Sequence, residues 1–190
     1  MWVKKNKLMI ILLFSIPIIM ILSSCSLSEN RAQNSRLTKI VEDQVYVEKS
    51  PKGNKVYSLF TSSGTYISYD DNGAQYATQD DLKEAEIDNE MGIYPYREYV
   101  TGNYEKKGDF YRVTIKSVVT LYSKDIKSYQ KGEYSVMKKE NQTIRFTIEK
   151  DNTGYKVNDV YFNAKKSKTN LPQTIEDFIS QYDYKPENLN

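Results

Sequence analysis

Histidine is absent from the 190 residues, and that absence closes several routes at once. Ser-His and Cys-His nucleophile activation, imidazole general bases and histidine metal sites all need a side chain this chain does not carry. Cysteine is almost as scarce. Cys25 is the only one, so no disulfide forms within the chain and stability must come from packing. Neither sign of charge is in excess, with 27 Lys and Arg against 25 Asp and Glu. No strong steering field for nucleic acid is built in, and no nucleic-acid partner is expected.

What is present begins at the amino end. Lys4, Lys5 and Lys7 give a basic head, Leu8 to Leu22 is almost unbroken hydrocarbon, and Leu22-Ser23-Ser24-Cys25 closes the stretch. Basic head, apolar middle and small residues before a cut are the anatomy of a secretory signal. An uncleaved spanning helix needs about 20 apolar residues, roughly 17 at least, whereas Leu8 to Leu22 is shorter and is interrupted by Pro17. The four closing residues resemble the lipobox of bacterial lipoproteins. By that resemblance the Cys25 thiol receives a diacylglyceryl group, the signal is cut between Ser24 and Cys25, and Cys25 becomes the first mature residue. Two acyl chains make membrane anchoring stable where one is marginal.

The expected organisation is a signal over residues 1–24, a lipidated tether over 25–35 and one domain over 36–190. Removing the three leader lysines leaves 24 basic residues against 25 acidic, a balance near −1. The expected location is the outer face of the cytoplasmic membrane. Rich Lys, Asn, Ile and Tyr usage beside a lipobox points to a low-GC Gram-positive bacterium.

The tether, Ser26 to about Ser35, is too polar to bury anything. Asn34 or Ser35 is placed to cap a short helix, because Leu37, Ile40 and Val41 recur at i, i+3 and i+4. Gln44 to Lys49 reads as a strand or as the end of that helix, with Pro51-Lys52-Gly53-Asn54 as a turn into Val56–Phe60. Thr65–Tyr69 is a strand and Asp70-Asp71-Asn72-Gly73 a hairpin turn, since Asn-Gly tolerates positive φ. Thr78 opens a helix with Asp80 and Asp81 in its first turn.

Tyr111, Val113, Ile115, Val119 and Leu121 share one parity, so residues 111–121 form a long strand, with Ser117 and Val118 marking a bend or bulge. Ile144, Phe146 and Ile148 repeat the pattern, 151–154 turns, and Tyr155, Val157 and Tyr161 return, with a further strand around 134–138. At the carboxyl end Asn170 is the expected cap, and Ile175, Phe178, Ile179 and Tyr182 give an amphipathic helix whose stripe needs a partner, the sheet of the same domain ahead of another protein. The fold class is α+β, a curved antiparallel meander with packed helices.

Two passages, Leu59 to Ile67 and Phe146 to Val160, resemble parts of the nuclear transport factor two-like fold, a cone of helices on a curved antiparallel sheet. The first is similar to the place where a helix ends and the first strand begins, and the second to the closing hairpin. The resemblance implies a long helix before Leu59, which Pro51 and Gly53 oppose. A hairpin over residues 44–60 would replace the cone by an open meander with flanking helices. Enzymes of that superfamily use Asp, Tyr or His in the cone mouth, and no residue here matches those roles one by one.

Chemistry is otherwise sparse. Asp70, Asp71, Asn72, Asp80 and Asp81 are the densest oxygen group, but EF-hand spacing fails: with Gly73 sixth, Ser68 stands first and Gln79 twelfth. Turn and cap roles explain all five, so no catalytic residue, metal ligand or cofactor is assigned. The 17 tyrosines suit half-buried strands, with a stacking platform as the functional alternative. The reading that follows is a noncatalytic binding or assembly module, anchored by its lipid and taking another envelope protein or a secreted peptide as partner. The rival is a small-pocket hydrolase or isomerase acting on a lipid or wall fragment. Its signature would be a buried carboxyl with a raised pKa beside a tyrosine.

Overall fold

The computed structural model describes residues 37–49, 54–87, 94–157, 159–187 and 189. In chain order the elements are β1 (Val45–Lys49), β2 (Lys55–Phe60), β3 (Thr65–Asp71), a 3-10 turn (Asn72–Gln75), α1 (Gln79–Ile87), β4 (Tyr96–Lys107), β5 (Phe110–Tyr122), α2 (Ile126–Gln130), β6 (Glu133–Tyr134), β7 (Val136–Asp151), β8 (Gly154–Val157), β9 (Val160–Tyr161), β10 (Lys165–Lys166), α3 (Ile175–Ile179) and β11 (Asp183–Tyr184). Nine strands make one antiparallel sheet in the order β10-β1-β2-β3-β4-β5-β7-β8-β9, and β6 and β11 form a small parallel pair.

That order forces a curl. β9 and β10 stand at opposite ends of the sheet, yet only residues 162–164 separate them. Four Cα steps span at most about 14 Å, so the ends must approach each other and the sheet becomes a half-barrel. The ring centroids of Tyr66 on β3 and Phe146 on β7 lie 5.9 Å apart, although β4 and β5 run between them. On a flat sheet three strand spacings would hold them roughly 14 Å apart. Their face is therefore the concave one.

Both faces are buried over the central strands. Tyr46, Phe60, Tyr66, Val100, Tyr104, Tyr111 and Val113 belong to one core on the concave side. Their immediate neighbours Val45, Leu59, Ile67 and Tyr99 belong to a second core outside, with Leu171 and Phe178. The concave core is plugged by residues 37–43. Leu37 and Ile40 are buried there, and Val41 is 37% exposed. The plug is not the expected helix, because its amides are taken by tyrosines: Val41 N–H donates to Tyr46 Oη at 2.7 Å, Ile40 N–H to Tyr155 Oη at 3.5 Å, and Tyr46 Oη–H donates to the Lys39 carbonyl.

The bulge expected near Ser117 is present, and it reverses the face. Thr101 pairs with Ser117 and Gly102 with Ile115, which leaves Lys116 as the extra residue. Tyr111, Val113 and Ile115 consequently lie on the concave side and Val119 and Leu121 on the convex side, although all five share one sequence parity. Gly102 is required opposite the bulge. A Cβ there would stand 2.3 Å from the Thr114 carbonyl oxygen and 2.9 Å from Ile115 Cα.

Other expectations change in detail. Residues 45–49 and 55–60 pair as antiparallel strands β1 and β2, so Leu59 lies in a strand and not at the end of a long helix; the expected turn Pro51-Lys52-Gly53 lies outside the described residues. Asp70 and Asp71 continue β3, and Asn72-Gly73 opens the 3-10 turn with Gly73 outside the positive-φ region. Tyr129 presses on Gly73 so closely that a Cβ would meet its ring at 2.3 Å. The cap of α3 is Thr174, whose hydroxyl accepts from Asp177 N–H, and not Asn170. The helix is five residues long and docks on the sheet, Phe178 stacking on Tyr99 at 5.0 Å. Thr78 caps α1 as expected, in reciprocal bonds with Asp81.

Candidate functional site

Strand register brings scattered acidic residues together. Glu48 pairs with Val56, Val56 with Asp70, Asp70 with Glu98, Glu98 with Thr120 and Thr120 with Lys138. Directly opposed residues share a face, and this row has the parity of Tyr46, Phe60, Tyr66 and Val100, so it lies on the concave side. Five strands thus carry Glu48, Asp70, Glu98, Thr120 and Lys138 across one end of the half-barrel, beyond the aromatic core. The adjoining row contains Ser58, Ser68, Val100, Val118 and Glu140. The concave surface therefore runs from an apolar, plugged end to an acidic, hydroxyl-lined end.

The carboxyls of Asp70 and Glu98 are buried and sparsely paired, and that of Glu48 is half-buried. Asp70 and Glu98 are 9% and 8% exposed. Asn54 Nδ2 donates to Asp70 Oδ1 at 2.8 Å, and the Thr120 hydroxyl donates to Glu98 Oε2 at 3.2 Å. Glu48 Oε1 accepts Asn163 N–H at 2.5 Å. Burial pushes Glu98 up to about 7, with the neighbouring Asp70 adding repulsion and Thr120 opposing. Burial likewise raises Asp70 to about 6 against the Asn54 bond, and Glu48 to about 7 against the Asn163 amide. The one lysine of the row, Lys138, pairs with Glu140 at 2.6 Å. Tyr96 and Tyr122 pair in the next row outward on the same face, 5.8 Å between centroids.

Such an arrangement holds protons at neutral pH on one strand neighbour while leaving another ionised, and it favours ammonium, guanidinium or hydroxyl donors. Two carboxyls desolvated together on neighbouring strands, Asp70 and Glu98, with one lysine at the edge of their row, are costly to stability. That cost marks the row as the site to explain.

The opposite face carries a structural device. Arg97, with 12% of its side chain exposed, lies over the Tyr129 ring at 3.5 Å and near the Tyr182 ring at 4.7 Å. It donates to the Tyr129 carbonyl at 2.9 Å and approaches Asp71 at 3.7 Å, while Tyr129 Oη–H donates to Asp71. These contacts clamp α2 and the end of α3 to the sheet. Asp70 and Asp71, adjacent in sequence, thus serve opposite faces. Asp81 caps α1 and Asp80 meets Lys83, so the five oxygen residues disperse. No group of three metal-ligating acids or thiols occurs among the described residues.

Two surface clefts lie elsewhere. One of about 400 Å³ is lined by Thr38, Asp109, Lys150, Asp151, Asn152 and Gly154. The other, of about 510 Å³, lies between α1 and α2, where Gln79 and Asp125 already accept the Ile126 and Ser128 amides. Neither includes the carboxyl row. The lipidation residue Cys25 and the cleavage pair Ser24 and Cys25 lie outside the described residues, and no described helix is long and apolar enough to cross a membrane. Glu48 and Glu98 carry no sequence signal, because their strands are buried on both faces and alternation does not separate inside from outside. No family model, no curated protein and no solved structure matches the chain.

Proposed function

We propose that the chain is a lipoprotein of the outer face of the cytoplasmic membrane, and that it binds an envelope protein or secreted peptide through the acidic end of its concave face. The observation that carries this reading is the row of Glu48, Asp70 and Glu98, in which Asp70 and Glu98 are buried direct neighbours on β3 and β4 and Glu48 on β1 is half-buried beyond Val56 of β2. Its ligand presents basic or hydrogen-bond-donating groups. The lipobox at Leu22-Ser23-Ser24-Cys25 supports the address. Acyl chains on Cys25 as the first mature residue, found by mass spectrometry, and loss of those chains in Cys25→Ala are the expected results. Wild-type protein without acyl chains, retained in the membrane by an uncut leader, would overturn the address.

A second reading, a hydrolase or isomerase, is favoured by one feature: Asp70 and Glu98 are direct cross-strand neighbours beside Tyr96 and Tyr122. A shared proton there supplies acid and base in one place. Turnover of a lipid or wall fragment lost in Glu98→Gln would favour it over the binding module.

A further inference from the structure

β3 and β4 part company at the acidic end of the half-barrel. Their last paired residues there are Asp70 and Glu98, both buried. Beyond that rung β3 runs into the 3-10 turn Asn72–Gln75, while β4 has begun two residues before Glu98, at Tyr96. The end of a ladder is where strands separate at least cost. Here the final rung sets two acids opposite each other, and like charges directly opposed across strands repel. The next residues outward, Asp71 and Arg97, serve the convex face, where they approach at 3.7 Å and Arg97 lies over the Tyr129 ring. Attraction on the convex face and like charge on the concave face meet at one strand end.

The bonds the two carboxyls receive come from neutral donors, Asn54 on Asp70 and the Thr120 hydroxyl on Glu98. The titratable groups around the pair are Glu48 on β1 beyond Val56, Asp71 on β3, Tyr96 on β4, Tyr122 on β5, Lys138 and Glu140 on β7, and Tyr76 after the 3-10 turn. Lys138, the one cation among them, pairs with Glu140 at 2.6 Å. We infer that Asp70 and Glu98 form a pH-sensitive latch: with a proton on the pair the β3–β4 end stays closed, and with both ionised Asp70 swings out with the turn that follows it while the rest of the sheet stays folded. Burial raises both carboxyls, and the Asp70 charge raises Glu98 further. Opening returns them to water, where they ionise near about pH 4, so it releases protons and becomes easier as pH rises from about 4 through about 7. The closed end is thus the acid form. The latch belongs to the fold and holds with or without a partner on the acidic face.

The test is hydrogen exchange of the full chain in detergent, read by mass spectrometry at about pH 5 and about pH 8 and corrected for the chemical exchange rate. Protection over residues 69–76 should fall about tenfold or more at the higher pH. Low urea should then leave exchange over 69–76 unchanged and speed that of β5, because a local opening exposes little surface. In Asp70→Asn/Glu98→Gln the fall over 69–76 should shrink to about twofold or less. An equal fall in wild type and the double variant overturns the latch. A urea response over 69–76 that matches that of β5 overturns it too, since the pH effect then belongs to global unfolding. Glu98→Gln alone, which keeps the side-chain shape, should give a smaller fall than wild type, and a fall as large overturns the latch even if the double variant does not fold.

Discussion

Individual residues carry the sharpest consequences. The folded chain keeps protons on Glu48, Asp70 and Glu98 up to about pH 7, 6 and 7, whereas free carboxyls release them near about 4. Between those values the folded state binds more protons than the unfolded one, so stability falls as pH rises through that window. Asp43, Asp81 and Asp125 act in the opposite sense, held low chiefly by backbone amides of Ser62, Thr78 and Ser128, and their contribution is lost on acidification. The thermal midpoint should therefore peak near about pH 5 and decline toward 8, with a shallower decline in Glu98→Gln, read by calorimetry across pH. Arg97→Ala removes a nearly buried cation from two rings, a carbonyl and Asp71, and should cost about 3 kcal/mol in urea unfolding. Arg97→Lys should not restore the loss, since a lysine cannot stack and fork in the same way.

At the scale of elements, the strands were mostly legible and their faces were not. Tyr111 to Leu121 alternates cleanly, and β5 is there. One bulged residue, Lys116, nevertheless sends Val119 and Leu121 to the other core. Gly102→Ala forces a methyl into the backbone of that bulge and should lower stability by about 2 kcal/mol, visible as a reduced denaturation midpoint. Asn72-Gly73 read as a hairpin turn because local chemistry allows one, but a distant ring, Tyr129, fixes the outcome. The periodic stripe Ile175, Phe178, Ile179 and Tyr182 found its partner in Tyr99 and Tyr69. Phe178→Ala should cost about 3–5 kcal/mol by the same urea measurement. The acidic row was not legible at all, since it exists only through the pairing of β1 with β2, β2 with β3 and β3 with β4.

Across the whole molecule, the two ends of the half-barrel differ in kind. The plugged end is aromatic and begins at Leu37, twelve Cα steps from Cys25. A fully extended chain of that length spans about 40 Å, so in the proposed lipoprotein the plug would stand at most about that far from the bilayer. The acidic end lies at the other end of the half-barrel, along strands β4, β5 and β7. The most direct test compares what full-length wild-type protein and Asp70→Asn/Glu98→Gln recover by crosslinking in their own cells, after circular dichroism has matched their folds. A specific envelope protein or secreted peptide, basic where it crosslinks and lost with the double variant, is the predicted result. Recovery of the same partner by both proteins would contradict the assignment of function to the acidic face.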